Sequence, residues 1–248
     1  MNPDQQLDAE EIVIPRRFRG PPNSANGGYS CGLIGCRVHG PARVRLTEPP
    51  PLDALMAIRT LDERSAELIL EGRAIGRAHA VSEQWEVPEP VAFDVASVAS
   101  KRFPWYEGHP FPSCFVCGPE RLETDGLRIL PGEVPDRDIV AAPWIPAESV
   151  CDASGAVQPE IVWAALDCPS WFGILAFGRD AQYALLGELA VHVLERPREG
   201  ERCVVTGWSR GREGRKLYGG TAIHGDTGRL LASSAATWIE LRSAHTLQ

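Results

Sequence analysis

Several features are scarce or absent, and each absence excludes a class of protein. No uninterrupted apolar run approaches the roughly 20 residues of a membrane helix, so we expect no membrane-spanning segment. Basic residues are outnumbered, 25 Lys and Arg against 33 Asp and Glu, and the net charge of -8 disfavours a nucleic-acid partner. Residues 1–11 are polar and acidic, unlike a secretory signal, so we expect a cytoplasmic protein. Seven cysteines, an odd number, are too few for a disulfide scaffold in a chain this long and predict mostly free thiols.

The remaining composition is that of an ordinary folded protein. Hydrophobic residues make up 44% and charged residues 23% of the 248 residues. These proportions are typical of globular chains and not of disordered ones. The length is sufficient for one large core or two small ones.

A weak internal repeat relates the two halves of the chain. At an offset of 147 residues, segment 42–61 aligns with 189–208, with apolar residues opposite apolar residues and three identical positions. At an offset of 156, segment 72–75 aligns with 228–231, and both copies begin Gly-Arg. Both copies indicate strands joined by Pro- or Gly-containing turns.

A candidate helix precedes the strands in each half. The first begins near Asn26 in the run NGGYSCGLIGCRV, whose glycines suit a helix that other backbone approaches closely. The second is predicted from Gln158 to Gly178, where apolar residues recur at helical spacing. Pro169 should kink or end this second helix.

Each half is therefore predicted to form a short strand, a helix and three or four antiparallel strands. A connector rich in Pro and aromatic residues lies at 88–112. Because one helix cannot cover such a sheet alone, the halves should pack together in an α+β protein. We place the boundary near the end of this connector, so that one unit is residues 1–108, with most of the connector, and the other is residues 109–248.

Three local sequence motifs occur in order along this pattern of strands and helices. They are NGG at 26–28, CFVCG at 114–118 followed by DGL at 125–127, and a closing strand at 228–241. In this order they resemble the hotdog fold of the acyl-CoA thioesterase and dehydratase superfamily, in which an antiparallel sheet wraps around a central helix. The resemblance covers almost the whole chain and implies a double hotdog, two such units fused in one chain.

The resemblance also implies a site between the two units. In such thioesterases one unit supplies backbone amides at a Gly-Gly helix start, and the other supplies a carboxylate from its helix. Here Gly27 and Gly28 provide the helix start, whereas the acid expected nine positions after Asn26 is replaced by Gly35. The second half has Asp167 at the corresponding position but lacks the glycines.

These complementary losses imply one composite catalytic site per chain. The Gly27 and Gly28 amides would bind the oxyanion, because a helix N-terminus presents unpaired N–H groups. Asp167 would act as general base on water or attack directly as nucleophile. Asn26 or Asn23 could orient the carbonyl or the water, and the opposite site would be lost.

Further residues are candidates for substrate binding. Two tryptophans on the second helix could line an acyl pocket or belong to the core. A basic hairpin could hold the phosphates of coenzyme A, or be a solvated turn. These candidates are Trp163, Trp171, Arg210, Arg212, Arg215 and Lys216.

Two other features admit more than one interpretation. Glu160 could replace Asp167 as the base, but an acid near a helix N-terminus also stabilises the helix dipole, which is the simpler reading. The Cys114-x-x-Cys117 pair invites a zinc reading, for which Cys31, Cys36 or His109 could supply further ligands. The resembling family often carries this pair without a metal, so no metal is assigned.

The sequence thus predicts hydrolysis of an acyl thioester, carried by coenzyme A or by an acyl carrier protein, with no further cofactor. The rival is a non-catalytic module of the same fold that binds an acyl ligand. A hydratase would need a His opposite the acid, and no histidine stands out at a helix start. Two chains could pair as a homodimer of double hotdogs.

Overall fold

The computed structural model describes residues 9–178 and 183–241. Within these residues, eleven strands form one antiparallel sheet, and four α-helices of unequal length accompany it. The strands are β1 Ala9–Val13, β2 Ala42–Leu46, β3 Leu55–Asp62, β4 Ser65–Leu70, β5 Arg73–Ala80, β6 Gly132–Glu133, β7 Val140–Trp144, β8 Ala184–Val193, β9 Cys203–Glu213, β10 Lys216–Gly225 and β11 Leu230–Glu240. The helices are α1 Gly27–Gly35, α2 Phe93–Ser100, α3 Pro159–Ala165 and α4 Cys168–Phe177.

The strand order is nearly symmetric about the centre of the sheet. It runs β1-β3-β4-β5-β2-β8-β11-β10-β9-β7-β6, so β2 and β8 meet in the middle. Outward from this pair, β5, β4, β3 and β1 on one side correspond to β11, β10, β9 and β7 on the other. The offset of 147 carries β2 onto β8 and β3 onto β9, and the offset of 156 carries β5 onto β11, in agreement with these structural positions.

Burial alternates along strands such as β2 and β4, because one face of the sheet packs on the helices. In β2 the side chains of Ala42, Val44 and Leu46 are buried, while Arg43 and Arg45 point away from this core. This is the period of two that an amphipathic strand requires. Helix α2 covers the outer face near β7 and β9, where it buries Ala96 and Ala99.

Helices α1 and α3 cross at very short distance. A Cβ on Gly28 would lie 2.8 Å from the Trp163 carbonyl oxygen, and one on Gly32 would lie 2.6 Å from the Glu160 Cα. The glycines of the first helix therefore exist because the second helix leaves no room for side chains, as the sequence predicted.

The second helix, expected from Gln158 to Gly178 with a kink or end at Pro169, is broken in two slightly before that proline. Helix α3 ends at Ala165 and α4 begins at Cys168, with Asp167 at its N-cap position. Pro169 lies in the first turn of α4, where its missing N–H costs nothing. Asp167 is consequently a residue of the junction and not of a helix interior.

One helical stretch in the described chain, Pro159–Phe177, is long and apolar enough to cross a membrane. The sequence alone did not suggest it, because polar residues interrupt the run. Of its apolar window, 72% is buried inside the fold. A buried core helix satisfies the same test, so this finding is weak evidence for a membrane span.

Candidate active site

The N-terminus of α1 is held by a buried asparagine that also contacts the other half of the chain. The Asn26 side-chain oxygen accepts a hydrogen bond from the Tyr29 amide at 2.9 Å, which caps the helix. Its Nδ2 donates to the Asp167 Oδ2 at 2.8 Å. Asn26 therefore fixes the helix start and the carboxylate relative to each other.

The Asp167 carboxylate is buried and only half satisfied. Its Oδ2 accepts a second hydrogen bond, at 3.0 Å, from the Gly28 amide. Its Oδ1 has no hydrogen-bond partner among the described residues, although Asp167 is only 2% exposed. Burial raises the pKa of Asp167 to about 7, against the opposing effect of the Gly28 and Asn26 hydrogen bonds.

The two backbone amides that the sequence analysis assigned to the oxyanion, those of Gly27 and Gly28, have different surroundings. The Gly28 amide is engaged by Asp167 and is not open to an oxyanion in this structure. The Gly27 amide, the first of the helix, has no acceptor in the part of the chain that the structure describes. Gly27 also lines the cavity beside it, with Leu186 packed against its Cα.

A cavity of about 600 Å³ opens on this junction. Its wall is largely apolar and aromatic, and its charged side chains within the described chain are Glu48 and Asp167. No lysine or arginine of residues 9–178 and 183–241 lines it. The aromatic part of the wall includes Trp105, Phe111, Trp171, Phe172 and Trp238. Such a wall suits an apolar acyl group.

His109 also lines this cavity, and sequence reasoning considered it only as a metal ligand. Its Nδ1 accepts a hydrogen bond from the Phe111 amide at 2.9 Å, so a neutral ring carries its proton on Nε2. Burial lowers the pKa of His109, which favours the neutral ring. The Nε2 is buried and has no partner among the described residues. No motif spacing marks this histidine, because it lies in the irregular connector.

The two predicted tryptophans have different positions. Trp171 lines the cavity and packs on Trp238, with ring centroids 5.3 Å apart. Trp163 lies between α1 and α3 instead, and a Cβ on Gly35 would lie 2.4 Å from its ring. Trp163 is thus a core residue that occupies the space beside Gly35, and it is absent from the cavity wall.

Two other candidates lie away from the cavity wall. Asn23 is exposed in the turn before α1 and does not line the cavity. Glu160 lies in the first turn of α3, backs onto Gly32 and does not line the cavity either. The position of Glu160 suits an acid that stabilises a helix N-terminus.

The basic hairpin joins β9 to β10 and is solvent-exposed. Arg212 forms an ion pair with Glu240 and Arg215 donates to the Glu240 carbonyl oxygen, while Arg210 and Lys216 are exposed. None of the four basic residues lines the cavity, but Glu240 immediately precedes Leu241, which does. The hairpin is therefore tied to a strand end that reaches the cavity.

Three buried thiols lie beside the carboxylate. The Sγ atoms of Cys114, Cys117 and Cys168 all lie within 4.8 Å of one another. These residues line the same cavity as Asp167. All seven cysteines are free, as predicted for most of them, and Cys31 and Cys36 do not join this cluster.

Solved structures resemble this fold over nearly the whole chain. A candidate thioesterase of Novosphingobium aromaticivorans has a TM-score of 0.60 at 14% identity, over 97% of this chain and 100% of its own. The tesB protein of Mycobacterium avium subs. paratuberculosis has a TM-score of 0.62 at 11% identity, over 96% and 94%. A conserved protein of unknown function with the hot dog fold from Alicyclobacillus acidocaldarius has a TM-score of 0.55 at 10% identity, over 96% and 95%.

These similarities confirm the predicted α+β hotdog fold. No protein-family profile matches the sequence, and no curated protein matches it either. At such low identity the fold alone is shared, and one fold hosts many reactions. The shared fold therefore does not identify the reaction, which depends on the residues of the site.

Proposed function

We propose that the chain is a double hotdog, with units 1–108 and 109–248, that hydrolyses an acyl thioester at a composite site between its halves. The observation that carries this proposal is the buried Asp167 carboxylate. It faces the N-terminus of α1, its residue lines an apolar cavity, and its Oδ1 has no hydrogen-bond partner among the described residues. The symmetric strand order supports the division into two units.

Asp167 activates the attack on the thioester. As general base, its Oδ1 takes a proton from water while the water oxygen bonds to the carbonyl carbon. The tetrahedral intermediate then collapses, the carbon–sulfur bond breaks, and the thiolate leaves and takes up a proton. Direct attack by the carboxylate on the carbonyl carbon would instead break the carbon–sulfur bond, release the thiolate and form an anhydride that water then cleaves. Asn26 and Gly28 hold Oδ2 in both cases, which leaves Oδ1 as the reacting atom.

The negative charge that develops on the carbonyl oxygen needs hydrogen-bond donors. The Gly27 amide, at the positive end of the α1 dipole, is one free donor on the cavity wall. The His109 Nε2–H is the second. A neutral imidazole suits this task because the Phe111 hydrogen bond to Nδ1 leaves the ring proton on Nε2.

The substrate lies with its acyl group in the cavity and its carrier outside. The aromatic wall around Trp171 and Trp238 contacts the acyl group. Because no cation lines the cavity in the described chain, phosphate groups of coenzyme A would be bound at the rim, where the basic hairpin is tied to Glu240. Coenzyme A enters as part of the substrate, and an acyl carrier protein would present the same thioester.

The test is thiol release from short-chain, long-chain and aromatic acyl-CoA esters. Asp167→Asn should lower kcat by about 10²–10⁴-fold, as expected for loss of a general base. Glu160→Gln is the matched control, because Glu160 is an acid of the same helical segment outside the cavity, and it should retain activity.

The outcomes separate the proposed enzyme from a binding module. Turnover that Asp167→Asn retains would overturn the assigned site. Absence of turnover with every ester, together with thermal stabilisation by an acyl-CoA, would replace hydrolysis by ligand binding.

A further inference from the structure

The three thiols beside Asp167 have the geometry of a metal site. The Sγ atoms of Cys114 and Cys168 are 3.9 Å apart, although 54 residues separate them in the chain. Two thiolates on one tetrahedral zinc ion, each at about 2.3 Å, lie about 3.8 Å apart. Cys117 places its sulfur within 4.8 Å of both, so three ligand atoms surround one point.

The turn that carries the first two thiols is built like a metal-binding loop. The Gly118 amide donates to the Cys114 carbonyl oxygen at 2.9 Å, which closes the turn. A Cβ on Gly118 would lie 2.5 Å from that oxygen, so only glycine fits there.

The third thiol comes from the other side of the site. Cys168 is the first residue of α4 and follows Asp167 directly. The Asn26 Nδ2 lies 3.9 Å from its sulfur, so this sulfur has an N–H donor beside it. Donors of this kind around ligating sulfurs support a metal from outside its first coordination sphere.

The chemical nature of the three ligand atoms indicates which metal ion would bind. Three buried sulfurs are soft ligands, which favour zinc over magnesium or calcium. All three cysteines line the cavity, so a fourth coordination position faces it and can be filled by water. The sequence analysis assigned no metal, because the resembling family often carries the Cys-x-x-Cys pair without one. The further ligands it considered were Cys31, Cys36 and His109, and the cluster contains Cys168 instead.

We propose that Cys114, Cys117 and Cys168 bind one Zn²⁺ ion, with the fourth position open to the cavity. The ion links the 114–118 turn to the start of α4. The ion thereby holds in place both the 114–118 turn and the backbone at Cys168, next to Asp167. This site does not depend on the proposed hydrolysis, since zinc can be bound whether or not the chain cleaves a thioester.

The test is a titration of the reduced, chelator-treated full chain with Zn²⁺ in competition with a chromophoric chelator. One equivalent should bind, and Co²⁺ in its place should give thiolate-to-metal charge-transfer absorption. Cys114→Ser and Cys168→Ser should each weaken binding by more than about 100-fold, beyond the cost of losing an outer-sphere partner. Cys36→Ser is the control and should bind as the wild type does.

Thiol alkylation of the wild type provides a second readout if a variant fails to fold. Zn²⁺ should protect Cys114, Cys117 and Cys168 from alkylation and leave Cys36 unchanged, as mass spectrometry of peptides would show. Failure to bind Zn²⁺, or binding that Cys168→Ser retains, would overturn the site. Neither result would alter the thiol-release test of Asp167.

Discussion

Because α1 and α3 pack very closely, Gly28→Ala should destabilise the protein. The added Cβ would lie 2.5 Å from the Asp167 Cβ and 2.8 Å from the Trp163 carbonyl oxygen. Ordinary carbon contacts are about 3.5–4.0 Å, so the two backbones must separate by about 1 Å. This overpacking costs about 1–3 kcal/mol, and weakening the Gly28–Asp167 hydrogen bond costs about 1.5–3 kcal/mol.

The helix gains about 1 kcal/mol from alanine in place of glycine, so the net loss is about 1.5–5 kcal/mol. For a chain of this size we expect the melting temperature to fall by at least about 3 °C. Calorimetry measures this fall, and thiol release measures the accompanying loss of turnover as Asp167 moves.

Gly32→Ala separates packing from chemistry. Its Cβ would lie 2.6 Å from the Glu160 Cα, so it should destabilise the same helix pair without touching Asp167. Turnover per folded molecule should therefore fall more in Gly28→Ala than in Gly32→Ala. A Gly28→Ala protein that melts and turns over like the wild type would refute the close packing and the coupling inferred from it.

Three further predictions concern the cavity and its rim. His109→Phe should lower kcat by about 10²–10³-fold with little change in KM, as for loss of one oxyanion donor. Steady-state kinetics would show this loss, and an unchanged kcat would contradict that role. Trp171→Ala should raise KM for bulky acyl esters more than for acetyl esters, because it removes apolar wall, and a uniform change would argue against acyl contact. The double variant Arg212→Gln, Arg215→Gln should raise KM for coenzyme A esters. It should leave KM unchanged for pantetheine esters, which lack the adenosine phosphates. Equal effects on both kinds of ester would show that the hairpin does not bind the phosphates.

Much of the fold could be predicted because its signals are local. Alternating apolar residues, such as those of β2, follow directly from a strand with one buried face. The repeat offsets of 147 and 156 residues matched strands that occupy equivalent places in the sheet. The glycines of α1 indicated close backbone contact before any partner was known.

The junction at Asp167 could be predicted only in part. The resemblance paired the start of α1 with Asp167, and the structure does bring Asn26, Gly28 and Asp167 together. The sequence did not show that α3 would end before Asp167, because the end depends on how Pro169 is placed at the start of α4. It also did not show that the Gly28 amide would be used by the carboxylate.

The sequence by itself determined which segments form strands and helices, since hydrophobic period, proline and glycine act within a few residues. Only the tertiary structure decided which distant side chains share the cavity. No sequence spacing links His109, in an irregular connector, to Asp167, and none links Cys168, at a helix start, to Cys114. Their meeting depends on the packing of the connector against α4, and that contact is made by the folded chain as a whole.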